Sequence, residues 1–142
     1  MESLPKPIKP SALIRLALRD EKKTHASSDY RVDMKDWHVP GTSKCAVCFA
    51  GAVMAFTLDA DLKCYLIPKE FDPHTSNCLL ALDSFRLGKV YEGLYTMGLS
   101  DMGGKGGLPR KLDREVTPYD DDRDDFRADM EKLAEDLEAI DL

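Results

Sequence analysis

From Cys45 to Leu58 the chain runs fourteen residues with one polar side chain, Thr57. A soluble chain has nowhere to put such a stretch except its interior, so the rest of the fold must be built around it. It is well short of the roughly 20 residues that a membrane-spanning helix needs, and reads as a buried segment. Thr42 or Ser43 offers an N-cap, and Cys45 to Phe56 is then expected as one helix, apolar on every side, at the centre of the core. Ala46, Ala50, Gly51, Ala52 and Ala55 would let neighbouring helices approach closely. A buried strand is the rival reading, disfavoured by Ala, Gly and Met and by the length of the run.

At 142 residues, with 43% apolar and 32% charged residues, the chain has the composition of one modest folded domain. Met1 to Pro10 holds three prolines and two lysines and no continuous apolar region, so no signal peptide is expected and the location is read as cytoplasmic. The same prolines make this an extended arm. Ser11 can cap a short amphipathic helix from Ala12 to about Lys23, carrying Leu13, Ile14, Leu16, Ala17 and Leu18. Thr24 to Lys44 reads as an ordered loop anchored by Tyr30 and Trp37, and Lys63 to Ile67 as a brief extended stretch. Asp72 followed by Pro73 is a cap with proline at the first helical position, starting a helix that reaches about Leu87 through Leu79, Leu80, Leu82 and Phe85. Gly88 breaks it, and Lys89 to Met97 continues as helix until Gly98.

Met102 to Gly107 is glycine-rich and reads as a flexible tether. Thr117-Pro118-Tyr119-Asp120 is a helix start, after which Phe126, Met130, Leu133, Leu137 and Ile140 recur at spacings of 4, 3, 4 and 3. That narrow seam docks along another helix or pairs as a coiled coil. Charge divides at the same place. Residues 1–112 carry 16 Lys/Arg against 13 Asp/Glu, whereas residues 113–142 carry 4 against 13. Such a tail either faces a basic partner, in the manner of a nucleic-acid mimic, or keeps the protein soluble.

Motifs for chemistry are incomplete. Cys45-Ala-Val-Cys48 has the spacing of a zinc or redox pair, but Cys64, Cys78, His25, His38 and His74 supply no second matching pair. The favoured reading is that the cysteines serve as small buried hydrophobes. Trp37-His38-Val39-Pro40 is either a small ligand pocket at the start of the apolar segment or a core plug followed by a turn. His74 has no nucleophile and orienting acid at a recognisable spacing. Gly103 to Gly107 lacks the Ser/Thr that follows the lysine of a phosphate loop. The helix pair across Gly88 has Arg86 and Lys89 but too few other cations to track DNA. No catalytic, cofactor-binding or metal residues are assigned.

Tyr30 to Pro40, then Cys45-Ala-Val-Cys-Phe-Ala-Gly-Ala-Val-Met-Ala55, then Ala81-Leu-Asp-Ser-Phe-Arg86 resemble a group of small accessory proteins of tailed bacteriophages. Those share a W-H-x-P element, a C-x-V-C-x-A-G-A-V-M-A segment and an A-L-D-x-F-R helix. The similarity covers about residues 11–100 and leaves the acidic tail outside. It implies a phage origin, action in the host cytoplasm, and, by analogy, binding to a host or competing protein. It carries no catalytic residues with it.

These readings give a mainly α fold: a helical core with an extended arm over 1–102, a linker over 103–117 and an acidic amphipathic helix over 118–142. The favoured function is non-enzymatic. It is inhibition or redirection of a host protein, such as a defence nuclease or nucleic-acid-handling factor, with no direct contact to nucleic acid or membrane. Asp120, Asp121, Asp122, Asp124, Asp125, Asp129 and Glu131 would meet the partner's cations. The alternatives are a ligand-binding or zinc-stabilised module around Trp37, His38, Cys45 and Cys48, and a homodimer joined through Phe126, Met130, Leu133, Leu137 and Ile140.

Overall fold

A computed structural model describes residues 3–34, 37, 40–41, 44–60, 67–99 and 124–142, residue 124 by its backbone only. The protein is mainly α. Helix α1 spans Pro10–Ala26 with Lys9 at its N-cap and Pro10 at the first helical position. It begins before Ser11 and ends three residues beyond Lys23, because its buried face continues past Leu18 in polar residues. Leu13, Ile14, Ala17 and Leu18 are followed along the helix by Asp20, Glu21 and Thr24, all buried. Polar groups extend a buried stripe only where partners satisfy them, as they do here.

The central apolar run corrects the single-helix expectation. Cys45–Val47 is a strand, β2, paired in parallel with β1, Tyr30–Val32, in the register Tyr30 to Cys45 and Val32 to Val47. Tyr30 thus belongs to a strand and not to the ordered loop. The helix itself, α2, is Phe49–Ala55, capped by Cys48, whose sulfur accepts the Gly51 N–H at 3.3 Å. Thr42 and Ser43, expected as caps, lie outside the described residues. In an unbroken apolar run there is no periodicity to separate strand from helix. What decides is the neighbour: Cys45 and Val47 pack with Tyr30, Ala52 and Ala55 in a small cluster of their own. Every residue of α2 is buried, as a central helix requires.

A 3₁₀ turn, Pro68–Glu70, precedes α3, Pro73–Arg86, where the Asp72 carboxylate accepts the Thr75 N–H at 3.2 Å and Pro73 opens the helix as expected. Residues 63–66 lie outside the described residues. Gly88, at φ 80°, turns the chain into α4, Val90–Thr96. Here a left-handed backbone is needed, which a side chain would resist. Helix α5 spans Asp124–Glu138 and runs antiparallel to α1. Arg127 meets Leu18 and Glu21, Glu138 meets Arg15, and the Leu142 carbonyl accepts from the Ser11 N–H at 3.1 Å.

The apolar seam of α5 lies inside this same core. Phe126, Met130, Leu133 and Leu137 are fully buried, and the Phe126 ring stands edge-on to Phe49 of α2 at 5.1 Å between centroids. The seam expected to join a homodimer, Phe126, Met130, Leu133, Leu137 and Ile140, is thus spent within the chain: four of the five side chains are covered and Ile140 packs on the same cluster. The stripe was legible, but its partner is α1 of the same chain. The linker over 103–117 and the helix start at Thr117 lie outside the described residues. Among the described residues no helix is long and apolar enough to cross a membrane.

Candidate functional site

With its seam buried, α5 turns a carboxylate-bearing face outward. Asp125, Glu131, Glu135 and Glu138 are exposed, with Lys132 the cation on that side. Asp129 is half-buried and engaged by a neighbouring group. Of the expected partner-binding residues, the structure thus places Asp125, Asp129 and Glu131. Asp120, Asp121 and Asp122, and the side chain of Asp124, lie outside the described residues.

The acidic face is not uniform. Arg15 of α1 grips Glu138 with two nitrogens, Nε to Oε2 at 3.1 Å and Nη2 to Oε1 at 2.6 Å. This hydrogen-bonded contact holds the Glu138 carboxyl below its ordinary value and raises the guanidinium, with Glu135 and Glu131 adding to the pull on Arg15. The flank of α5 nearest α1 is thereby partly neutralised within the chain. Asp125 stands two turns and more from Glu135 and Glu138, towards residues 113–123, where the chain's carboxylates are most concentrated.

Two carboxylates of α1 are buried, and one of them, Glu21, fixes how α5 sits. Glu21 receives Arg127 of α5 on one oxygen and approaches His25 Nε2 at 2.7 Å on the other, while Arg127 also donates to the Leu18 carbonyl at 3.2 Å. Asp20, equally buried, is met by the Thr57 hydroxyl, by Arg19 at 3.1 Å and by Lys23 at 3.6 Å. Both acids are fully inaccessible yet have cationic partners, which is the condition for keeping charge in an interior. Sequence reasoning passed over Asp20, Glu21, Arg127 and Arg15. The available signal was that Asp20, Glu21 and Thr24 continue the 3- to 4-residue spacing of Leu13, Ile14, Ala17 and Leu18.

Of the alternative constellation, the structure places Trp37, Cys45 and Cys48. Trp37 is half-buried and packs against the core, and His38 lies outside the described residues. Cys45 sits in β2 and Cys48 caps α2; both are buried, and burial pushes the Cys48 thiol up to about 12. A thiol so held stays protonated and is a poor metal ligand or nucleophile. Among the described residues no three His, Cys, Asp or Glu side chains converge as metal ligands. Comparison with protein-family models, with curated proteins and with solved structures finds no match to this chain.

Proposed function

We propose that this is a phage-type protein that works in the host cytoplasm by binding a basic surface of a host protein and inhibiting or redirecting it. It is a binder and not an enzyme in this reading. The observation that carries the reading is that α5 buries its apolar face against α1, α2 and α3, leaving carboxylates as what it offers to a partner. An ordered helix holds Asp125, Asp129 and Glu131 at fixed intervals, and Asp120, Asp121, Asp122 and Asp124 continue the negative charge towards its N-terminal side. Groups that normally grip phosphate, Lys and Arg on a nucleic-acid-handling protein, are the matching chemistry.

The test is charge removal without truncation. Changing Asp121, Asp122, Asp124 and Asp125 to Asn leaves the seam intact and deletes four charges. A partner captured from host lysate by the parent protein and then purified should bind the variant at least tenfold more weakly at low salt, with a flattened salt dependence. Equal affinity of parent and variant at both low and high salt would overturn the proposal.

A further inference from the structure

Between the N-terminal arm, the starts of α1 and α3, the end of α4 and residues 141–142 lies a cleft of about 620 Å³. That is within the roughly 300–1,000 Å³ typical of small-molecule sites. Its walls are aliphatic: Ile8, Met97, Leu99 and Leu142 line it, and each also packs against the core cluster.

The ammonium and carboxylate groups of the lining are matched within the chain. Lys9 and Asp141 pair with each other at 2.8 Å, and Lys6 pairs with Asp72, the cap of α3, at 3.8 Å. His74 is fixed by donating its Nε2 proton to the Pro5 carbonyl at 2.9 Å. An ion entering the cleft would leave its hydration shell and meet no counter-charge that is not already paired.

The groups left over are of another kind. The Asn77 carboxamide and the Tyr95 hydroxyl line the cleft, and neither is hydrogen-bonded to any of the described residues. Both are uncharged, and both donate as well as accept. Asn77 presents a carbonyl and an NH₂ side by side. A carboxylate can only accept and leaves that carbonyl unmet, and an ammonium can only donate and leaves the NH₂ unmet. An amide answers both. Hydrocarbon alone would cover these polar atoms and give them nothing in place of water.

We infer that this cleft binds an uncharged aliphatic amide, its amide group paired with the Asn77 side chain and its hydrocarbon body along Ile8, Met97 and Leu99. Two features set the class. The matched charges select against acids and amines of the same shape, and the two-way hydrogen bonding of Asn77 selects for a head group that is donor and acceptor at once. The aliphatic walls supply the affinity for the body.

Titration of the full chain at neutral pH with hexanamide, hexanoate and hexylammonium keeps the body constant and varies the head group. Hexanamide should saturate one site per chain and shift the Met97 methyl resonance, and both ions should bind at least fivefold more weakly. Asn77 is exposed on α3, so Asn77→Asp should leave the urea midpoint unchanged. It removes the donating half of the side chain and adds an unmatched negative charge, and should weaken hexanamide at least fivefold while hexylammonium becomes the tighter ligand. Absence of saturable hexanamide binding at millimolar concentration overturns the inference, as does binding that leaves the Met97 resonance unmoved. So does either ion binding the parent as tightly as the amide, or a folded Asn77→Asp variant that binds hexanamide like the parent.

Discussion

At Gly51 the backbone of the apolar segment lies close against that of Trp37. A Cβ there would come within 1.6 Å of the Trp37 carbonyl oxygen, a contact that only backbone displacement can relieve. Gly51→Ala should therefore destabilise the protein by at least the ~1–3 kcal/mol usual for overpacking, read as a fall in urea midpoint. Ala52→Leu, at a position 1% exposed in the Tyr30 cluster, should cost a similar ~1–3 kcal/mol. Cys48 yields a different check. With its thiol held near 12 and its sulfur occupied by the Gly51 N–H, it should resist alkylation at pH 8 in the native state and react at once in urea. Rapid native labelling would place it at the surface. At this scale the sequence was informative about burial and poor about conformation. The apolar character of Cys45 to Leu58 announced an interior segment, yet the change from strand to helix at Cys48 depends on Tyr30 and Val32, fifteen residues earlier, lying alongside as β1.

The α1–α5 pair is the element on which both stability and the proposed binding rest. Leu133→Ala removes a fully buried side chain from it and should cost ~2–5 kcal/mol in unfolding free energy. Glu21→Ala strands Arg127, whose side chain is 24% exposed, so the loss should sit at or below the low end of the ~3–5 kcal/mol seen on breaking buried pairs. Glu21→Gln should recover part of it, because an amide oxygen can still accept from Arg127. If Glu21→Ala melts with the parent, Arg127 and His25 do not depend on Glu21 as described. The boundaries of α3 and the break at Gly88 were readable because Asp72-Pro73 and glycine are local signals. The destination of the α5 seam was not. A spacing of 4, 3, 4 and 3 specifies that a helix must cover it and says nothing about whose.

At the scale of the molecule, three acids with lowered pKa values tie the ends of the chain to the body. Asp72 is held down chiefly by the Ser3 hydroxyl, Glu138 by Arg15 and Asp141 by Lys9. A carboxyl whose folded value lies below its unfolded one adds stability above the unfolded value, about pH 4, and loses it as pH falls towards the folded value. The urea midpoint should accordingly be flat with respect to these groups above about pH 4 and decline below it. Hydrogen exchange at the Leu4 and Ser11 amides, which bond Thr75 Oγ1 at 2.9 Å and the Leu142 carbonyl at 3.1 Å, should quicken before that of α2. A decline already complete at pH 5 would mean that other groups control the transition.

Because α1 is closed by α5, contacts such as Arg15 to Glu138 span 123 residues of sequence. During synthesis α1 must wait for α5 before its buried side is covered, a long-range pairing of the kind that slows folding. A premature stop anywhere before α5 would then release not a binder lacking its acidic helix but a chain with an open core, exposed to proteases and to aggregation. The helix that would carry recognition thus also closes the core, so that loss of the one entails exposure of the other.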